Sequence, residues 1–399
     1  MNRLCLFLPA MAVLTLTACR SHVRIVVTNP SGVSRSGELA EVPLSRLGRA
    51  ATQLEKGVSL TDGKGHTVPA QVTHDSLLVF PVSLGAGERA EFRLQPHAAG
   101  ADTISCGRVY PERLDDVAWE NDKSAYRAYG PALQRSGERA YGYDIMVKRV
   151  SYPVLEQRYA HELDTAARRQ IAAWRKSGQR RQADSLARAI SYHVDHGNGM
   201  DCYDVGPTLG GGAAALWVDS AMVFPRSYRT CEILDNGPLR FSMRLTYEPR
   251  QAGRETGVVE QRVITLDAGS YLNRTEVTYA PLHEAQSVVA GIVIHRQNPD
   301  GYRYDRAQRY VAYADSTNNA RAGNGVIYVG VVFADSLTWA GVTQGHVLGM
   351  TRYAPGRPLR YYWGSGWSKG GVESMDAWCS YLRRQAICRE QPLRIEIKR

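Results

Sequence analysis

The chain has 399 residues, of which 44% are hydrophobic and 22% charged, with a formal net charge of +10. This composition is ordinary for a soluble globular protein, and the length suits two average domains or one large β domain. The basic charge admits nucleic acid, an anionic membrane surface or an acidic substrate as partner. Because there is no nucleic-acid-binding motif and no lysine-rich tail, we expect no nucleic acid and favour an anionic glycan. A basic surface that serves only solubility is the alternative.

The first residues have the pattern of a targeting segment. Residues 4–14 are apolar but too short to span a bilayer as a mature helix. Leu-Thr-Ala-Cys, ending at Cys19, resembles a bacterial lipobox in which the cysteine is acylated after cleavage. We therefore predict a signal peptide over residues 1–18 and a single large domain over residues 19–399, anchored to the cell envelope by lipid on Cys19. An ordinary signal peptide is the alternative.

The cysteines beyond the lipid site are scattered and odd in number. They are Cys106, Cys202, Cys231, Cys379 and Cys388. An exported location permits disulfides, so Cys379 and Cys388 are predicted to staple a hairpin. The spacing does not suggest a zinc site.

Most of the chain has the pattern of β-strands. From Leu239 to Tyr247 apolar and polar residues alternate, which predicts one face on a core and one face away from it. Further strand-like runs, separated by Gly, Pro and Asp turns, cover residues 23–27, 67–73, 76–82, 89–95, 258–267, 271–280, 287–295, 309–314, 325–334, 346–353 and 393–398. Successive strands without interleaved helices predict a mainly β fold with large antiparallel sheets packed face to face.

Residues 156–190 interrupt this pattern. Apolar residues recur there at three- and four-residue steps, which predicts two helices or one bent helix on the surface. Eight cations against four anions in this insertion indicate a solvated outer face rather than a binding surface.

Residues 191–212 form a polar, glycine-rich stretch of a length that is uncommon in a compact domain unless it is functional. We predict that it forms the wall of a site. His193, Asp195, His196 and Asp201 have a spacing that suits a divalent cation, but no regular backbone geometry makes them converge. We therefore predict proton-transfer chemistry without a cofactor, with a divalent cation as the alternative.

A second polar segment covers residues 113–131. Asp116 and Glu120 are four residues apart, so one helical turn would place both carboxylates on one side, as a glycoside hydrolase requires. Alternatively, a Tyr or His abstracts the proton next to a uronate carboxylate while Arg and Asn stabilise the resulting charge. The candidate catalytic residues are Tyr192, His193, Tyr203, Asp116, Glu120 and Arg127. Turn capping and ion pairing are the structural alternatives for each.

Aromatic side chains can stack on sugar rings, and a third stretch, residues 361–371, combines aromatics with glycines. We expect Trp363 and Trp367 to be exposed there. The candidate substrate-binding residues are Trp119, Asn121, Tyr129, Lys148, Arg149, Asp195, His196, Trp363 and Trp367. His283, His295 and His346 lie at predicted strand ends or turns, and one of them could complete the site from the far side of a groove.

Four segments together resemble one protein family. They are residues 115–122 (DDVAWEND), residues 126–131 (YRAYGP), Lys148-Arg149 and residues 192–206 (YHVDHGNGMDCYDVG). They resemble the domain of unknown function 4861 family of exported proteins, often lipoproteins, from Bacteroidetes-type bacteria. The resemblance implies a galactose-mutarotase-like antiparallel β-supersandwich and an association with the breakdown of uronate-containing polysaccharides. The helical insertion is interpreted as peculiar to this member.

We therefore expect a carbohydrate-active protein that acts on acidic oligosaccharides by β-elimination. A glycoside hydrolase or a sugar epimerase or mutarotase with paired carboxylates is one alternative, and a non-catalytic glycan-binding lipoprotein is another. The hypothesis requires that residues 115–129, 191–206 and 361–371 meet in one sugar-sized hollow.

Overall fold

The structure is a computed structural model that describes residues 23–95 and 100–398. The predicted signal peptide and the lipid site at Cys19 lie outside these residues. Within the described residues, no helix is both long enough and apolar enough to cross a membrane.

The described residues form β-strands, five α-helices and three short 3-10 segments. The strands are β1 Arg24–Thr28, β2 Arg35–Pro43, β3 Ser59–Asp62, β4 Thr67–Pro69, β5 Gln71–Val72, β6 Leu77–Leu84, β7 Arg89–Gln95, β8 Cys106–Tyr110, β9 Asp116–Glu120, β10 Ser124–Ala128, β11 Asp144–Lys148, β12 Gly199–Asp201, β13 Gly211–Val218, β14 Ala221–Val223, β15 Tyr228–Asn236, β16 Arg240–Tyr247, β17 Arg250–Ala252, β18 Glu255–Asp267, β19 Leu272–Ala280, β20 Gln286–Val293, β21 Tyr302–Asp305, β22 Tyr310–Asp315, β23 Ile327–Phe333, β24 Trp339–Thr343, β25 His346–Tyr353, β26 Leu359–Trp367 and β27 Arg394–Lys398. The α-helices are α1 Pro131–Arg135, α2 Leu155–Glu162, α3 Thr165–Lys176, α4 Arg180–Ile190 and α5 Met375–Glu390, and the 3-10 segments are Leu44–Lys56, Pro111–Arg113 and Ala320–Ala322.

The main body is a sandwich of antiparallel sheets. The large sheet has the order β15-β16-β18-β19-β26-β23-β22-β21, with β17 paired to β18, and the opposing sheet has the order β14-β13-β20-β25-β24. The alternation in β16 is as predicted, because Phe241, Met243 and Leu245 all enter the core between the sheets. The expected mainly β fold with antiparallel sheets packed face to face is therefore confirmed.

A third sheet, which we call the small sheet, has the order β12-β11-β10-β9-β8. Its apolar face joins the core of the main body through residues such as Trp119, Tyr126 and Ile145. The other face is covered by α2, whose Leu155 and Tyr159 pack on Ala118, Ala125 and Met146. The helical insertion is therefore three helices, and the first of them covers a sheet.

The two ends of the chain complete an N-terminal β layer. One sheet has the order β27-β1-β7-β3-β4 and the other has the order β2-β6-β5, and the two enclose a separate core. The C-terminal strand β27 pairs antiparallel with β1. This layer is tied to the main body by Arg240, which donates to Glu41 at 2.6 Å and to Asp267 at 2.7 Å.

Helix α5 replaces the predicted hairpin near the C-terminus. Its Trp378 and Leu382 pack on the outer face of β22 and β23. Cys379 and Cys388 both lie in this helix, and nine residues of helix separate them by about 13 Å, so the predicted disulfide is wrong. All five cysteines in the described residues are free thiols.

The third aromatic and glycine-rich stretch, residues 361–371, is a strand followed by a turn. Residues 359–367 form β26 in the middle of the large sheet, and its glycines permit close packing rather than a flexible turn. A Cβ atom on Gly364 would lie 2.0 Å from the Tyr271 carbonyl oxygen and 2.9 Å from the Tyr126 hydroxyl. The absence of a side chain at Gly364 leaves room for the Tyr271 carbonyl beside the same sheet and for the Tyr126 hydroxyl from the small sheet.

Replacing Trp363 with alanine tests this packing. The Trp363 ring is fully buried, stacks on Tyr143 at a centroid distance of 4.0 Å, and donates from Nε1 to Thr275 Oγ1 at 2.8 Å. We expect Trp363→Ala to lower the free energy of unfolding by about 3–5 kcal/mol in urea denaturation, because it leaves a large cavity. Trp339→Ala is the control, because Trp339 is 37% exposed on the edge strand β24. Equal losses in the two variants would contradict the described core.

Candidate active site

The polar face of the small sheet carries charged side chains. Strand alternation and antiparallel register put these residues on one face: Asp116, Glu120, Arg127, Asp144, Lys148 and Asp201. All six are buried, because α2 covers this face. Buried charges of both signs must satisfy one another, so their contacts decide what each can do.

Arg127 is the centre of one half of this face. Its guanidinium donates to Asp144, to Asp201 Oδ2 at 2.9 Å and to the Tyr192 hydroxyl at 3.2 Å. The Tyr129 hydroxyl donates to the same Asp144 at 2.8 Å. Four of the predicted site residues therefore do meet, and Asp144, which the sequence analysis missed, joins them.

Asp116 lies beside this network without a hydrogen bond. Neither of its carboxylate oxygens finds a hydrogen-bond partner among the described residues, and the nearest cations are Arg113 Nη1 at 3.7 Å and Arg127 Nε at 3.9 Å. Burial raises the pKa of Asp116 to about 7 against the attraction of these two arginines. Burial, together with the charge of Asp144, raises the pKa of Asp201 to about 6.

Glu120 serves the other half of the face as an anchor. It accepts from Lys148 Nζ at 2.5 Å and from the backbone N–H groups of Val154 at 2.8 Å and Leu155 at 2.7 Å, which caps the start of α2. Asp116 and Glu120 lie on a strand, where four residues span about 13 Å, not on a helical turn. The predicted carboxylate pair is wrong, because glycosidase carboxylates lie roughly 5–9.5 Å apart.

Lys148 and Asn121 are committed to the interior. Besides Glu120, Lys148 donates to the carbonyl oxygens of Asn121 at 2.6 Å and Tyr152 at 3.0 Å. Asn121 donates to the carbonyl oxygens of Asp267 and Ser270 and accepts from two backbone N–H groups of its own turn. These contacts use all three ammonium protons and both amide protons, which corrects the expectation that either side chain is free to hold a substrate.

The three tryptophans are structural as well. Trp119 is fully buried and donates to Asn273 Oδ1 at 2.8 Å. Trp367 is 3% exposed and donates to the Asn324 carbonyl at 2.8 Å. The expected exposure of Trp363 and Trp367 is wrong, because both indoles fill the space between sheets.

The glycine-rich stretch holds itself together with its polar side chains. His193 Nδ1 contacts the Asp201 carbonyl oxygen at 3.0 Å, and His196 Nε2 contacts the Ser191 carbonyl oxygen at 3.0 Å. Asp195 accepts from the Gly197 and Gly199 N–H groups and pairs with Arg149 at 2.6 Å. In the part of the chain that the structure describes, no three His, Cys, Asp or Glu side chains are placed to hold a metal ion, so this quartet does not form the possible cation site.

A second polar group lies where strands end. Tyr203 follows β12, His295 follows β20 by two residues, and Asp315 is the last residue of β22. The rings of Tyr203 and His295 meet edge to face at a centroid distance of 5.6 Å, and His295 Nδ1 lies 2.5 Å from Asp315 Oδ2. The three chain segments converge although they are far apart in sequence, and we call these three residues the acid–base group.

The acid–base group has the features of a functional site. The Tyr203 hydroxyl is buried and finds no hydrogen-bond partner among the described residues, whereas the His295 side chain is 17% exposed. Asp315 also accepts from the Thr317 N–H at 2.7 Å, and Thr317 holds a φ of 70°. A positive φ is rare for a β-branched residue and concentrates at functional sites, because the surrounding structure must enforce it.

The pKa values of His295 and Tyr203 are both raised, for different reasons. Burial lowers the pKa of His295, but the hydrogen bond and charge of Asp315, together with the charge and backbone hydrogen bond of Asp204, outweigh burial, so the net shift is upward. Burial also raises the pKa of Tyr203 well above its ordinary value. Tyr203 therefore stays protonated, while His295 is the member that changes charge in the working pH range.

The other two strand-end histidines are structural or isolated. His346 accepts from the Leu209 N–H at Nε2 and contacts the Gln344 carbonyl oxygen at Nδ1, and burial lowers its pKa. His283 is exposed and bound to Glu255. His295 is thus the histidine that reaches a predicted site residue from across the fold. Its position at the end of the predicted strand over residues 287–295 was the available sequence signal.

The three stretches expected to form one hollow do come together, but as packed structure. The Ser124 hydroxyl donates to the Ser365 carbonyl at 2.9 Å, and Arg127 donates to Asp201 Oδ2 at 2.9 Å. The contacts between residues 115–129 and 361–371 are therefore part of the interior, and the acid–base group takes only Tyr203 from these stretches.

Comparison with known proteins agrees with the sequence pattern. A family model described as "Domain of unknown function (DUF4861)" matches residues 27–395. The chain belongs to the DUF4861 family. A relative of this DUF4861 protein, "Uncharacterized protein P7" of Formosa agariphila, is 25% identical over 337 residues, which cover 81% of this chain and 78% of the relative.

Two solved structures resemble this DUF4861 chain. An alpha-mannosidase from Enterococcus faecalis has a TM-score of 0.46 at 9% identity, and a protein of glycosyl hydrolase family 38 from the same organism has 0.45 at 10%. Each match covers 95% of this chain, which spans about half of those longer chains, 46% and 47%. Likeness of this extent does not bear on activity.

Removing Glu120 tests its role as an anchor. We expect Glu120→Ala to lower the free energy of unfolding by about 3–5 kcal/mol, because it leaves the Lys148 ammonium buried without a counter-charge. The control is Asp335→Ala, which removes the partner of the exposed Arg357 and should change stability by less than about 1 kcal/mol. Urea denaturation measures both. A double variant, Glu120→Leu with Lys148→Met, should be more stable than Glu120→Ala, because it buries no unpaired charge. If the double variant were no more stable, the buried ion pair would not be the cause of the loss.

Asp116→Asn tests the buried carboxyl through the pH dependence of stability. The folded-state pKa of about 7 lies above the ordinary value of 3.8, so the folded protein binds this proton more tightly than the unfolded chain. The protonated Asp116 therefore contributes its full stabilisation of the folded state below about pH 4, and this contribution is lost as the pH rises through 7. The stability of the variant relative to the natural protein should therefore increase by about 2–4 kcal/mol between pH 5 and pH 9. The exposed Asp300→Asn is the control. A pH-independent difference would contradict a carboxyl whose pKa is raised by burial.

Proposed function

We propose that this protein acts on acidic, uronate-containing oligosaccharides by β-elimination, with His295 as the base and Tyr203 as the acid. The observation that carries the proposal is the contact between the rings of Tyr203 and His295. The Tyr203 hydroxyl is buried without a hydrogen-bond partner among the described residues, and His295 is oriented by Asp315. A base oriented by a carboxylate beside a separate proton donor is the arrangement that general acid–base catalysis requires.

In the proposed reaction His295 takes one proton from the substrate and Tyr203 gives one proton to the leaving group. Asp315 accepts from His295 Nδ1–H, and the ring forms a further hydrogen bond with the Asp204 backbone. Once the ring is neutral and Nε2 is turned to the substrate instead of the Asp204 backbone, the lone pair of Nε2 takes the proton at C5 of the uronate. The electron pair of that C–H bond forms the C4–C5 double bond, and the C4–O bond breaks. Tyr203, protonated because its pKa is raised, gives its proton to the departing oxygen. Proton exchange with solvent then restores both side chains.

Two observations favour this assignment over the other readings. The hydrolase reading lacks its carboxylate pair, because Glu120 is bound to Lys148 and two backbone N–H groups and lies about 13 Å along the strand from Asp116. His193, the histidine favoured by the sequence, has its Nδ1 at a backbone carbonyl oxygen and no carboxylate orienter closer than 3.8 Å. The net charge of +10 supports an acidic substrate.

Purified protein incubated with a panel of uronate-containing oligosaccharides tests the proposal. We expect new ultraviolet absorbance from unsaturated uronate products, and His295→Gln and Tyr203→Phe should each lower kcat/KM by about 10²–10⁴-fold. His283→Gln is the matched control and should leave kcat/KM unchanged. Reducing ends without the new absorbance would replace elimination by hydrolysis, and epimerised sugar in the NMR spectrum would replace it by isomerisation.

The pH profile separates a catalytic His295 from a structural one. Because the pKa of His295 is raised, kcat/KM should increase through a limb above the ordinary histidine value of about 6.5. Asp315→Asn should move that limb to lower pH, whereas a merely destabilising change would leave its position unaltered. An unmoved limb would remove Asp315 from the mechanism.

A further inference from the structure

A wide cleft in the part of the chain that the structure describes lies away from the acid–base group. It is a cleft of about 860 Å³ between the N-terminal layer, the outer face of β18, β19 and β26, and helix α5. None of Tyr203, His295 and Asp315 lines it. Ligand sites for drug-sized molecules have volumes of about 300–1,000 Å³, so the cleft has room for more than a single small group.

We propose that this cleft binds an anionic saccharide chain through its carboxylate groups. The inference goes beyond the proposed elimination reaction, because it concerns different residues and holds whether or not the acid–base group is catalytic. Its basis is the charge of the cleft, the tyrosine rings that line it, and its continuation along the surface.

The charge of the lining is positive. Six cations line the cleft: Arg35, Lys123, Arg274, Arg360, Arg384 and Arg389. Four carboxylates line it as well: Glu38, Glu41, Asp122 and Asp267. An excess of cations in a recessed site concentrates the field and favours an anionic ligand.

Tyrosine rings hold three of these cations in place. Arg389 lies over the Tyr362 ring at 4.6 Å, as Arg384 does over Tyr381 at 5.6 Å. The Lys123 ammonium lies 5.8 Å from the centroid of the Tyr271 ring. Arg389 is already paired with Glu38 at 3.8 Å. The Arg384 guanidinium remains able to bind a carboxylate with two parallel hydrogen bonds. Tyr362 is buried, but Tyr271 and Tyr381 are half-buried, and the exposed parts of these two rings suit the apolar faces of sugars.

Arg384 is the cation best placed to receive a new partner. Its side chain is exposed on α5, and no carboxylate among the described residues forms an ion pair with it. By contrast, Arg274 is bound to Glu41 at 3.1 Å and Arg360 to Glu276 at 2.7 Å. An incoming carboxylate therefore reaches Arg384 without displacing an internal anion.

The cleft continues into a second hollow, which favours a chain over a single sugar. This smaller hollow of about 380 Å³ shares Asp122, Lys123 and Tyr271 with the cleft and extends to Arg149 and Tyr152. Tyr152 is 58% exposed, the highest value among the large hydrophobic side chains that are exposed. Together the two hollows make a groove with cations and tyrosine rings along its length.

Calorimetric titration of the purified protein with a short oligogalacturonate tests the inference. We expect binding that weakens as salt is added, and Arg384→Ala should raise Kd about tenfold or more, because it removes a charge-assisted hydrogen-bonding partner. Arg383→Ala is the matched control: Arg383 is the preceding residue on the same helix, donates to Ser380 at 2.9 Å and does not line the cleft. Its Kd should match that of the unaltered protein.

Two further arms separate this inference from the proposed reaction. The methyl-esterified oligogalacturonate, which lacks the charge, should bind at least tenfold more weakly. The His295→Gln protein should bind the charged probe as well as the unaltered protein, even if turnover is lost. Equal Kd values for Arg384→Ala and Arg383→Ala, or loss of binding in His295→Gln alone, would overturn the cleft as the site. Absence of turnover with binding intact would contradict only the elimination reaction.

Discussion

The buried guanidinium of Arg127 is the constraint on which the rest of the structure depends. Its donors reach Asp144 on β11, Asp201 on β12 and the hydroxyl of Tyr192, so one side chain joins two strands to the start of the glycine-rich stretch. A charge in this position is tolerated only while all its partners are present, because an unpaired buried ion costs several kcal/mol. The register of the small sheet, the path of residues 192–201 and the cover provided by α2 are therefore linked.

This constraint also positions the acid–base group. Cys202 and Tyr203 follow directly from Asp201, so fixing that carboxylate on Arg127 fixes the direction in which the chain leaves β12. The Cys202 carbonyl then accepts from the Asn318 N–H at 3.0 Å, which ties this segment to the one that follows Asp315. The small sheet thus places Tyr203 against His295, and both residues lie just after strand ends, where the half-buried His295 is the more accessible of the two.

The motifs that looked like binding features are mostly packing devices. Glycines beside aromatics allow sheets to approach closely, as Gly212 does: its φ is 128°, and a Cβ atom there would lie 2.7 Å from Trp363. Polar residues in the segment around Asn121 close a turn and anchor a helix. Both patterns arise because three sheets and a helical insertion meet around one core, and such junctions need small residues and satisfied polar groups.

The sequence by itself determined the mainly β fold, most strand positions, the helical insertion and the family, because alternation, helical periodicity and turn residues are local properties of the chain. It also predicted that residues 191–206 form the wall of a site and that one of three histidines could complete that site. Only the tertiary structure brought His295 against Tyr203 and Asp315, and Glu120 against Lys148. These depend on which strand ends converge and which face a helix covers. Contacts between distant segments are set by packing of the whole fold, and a local pattern does not contain them.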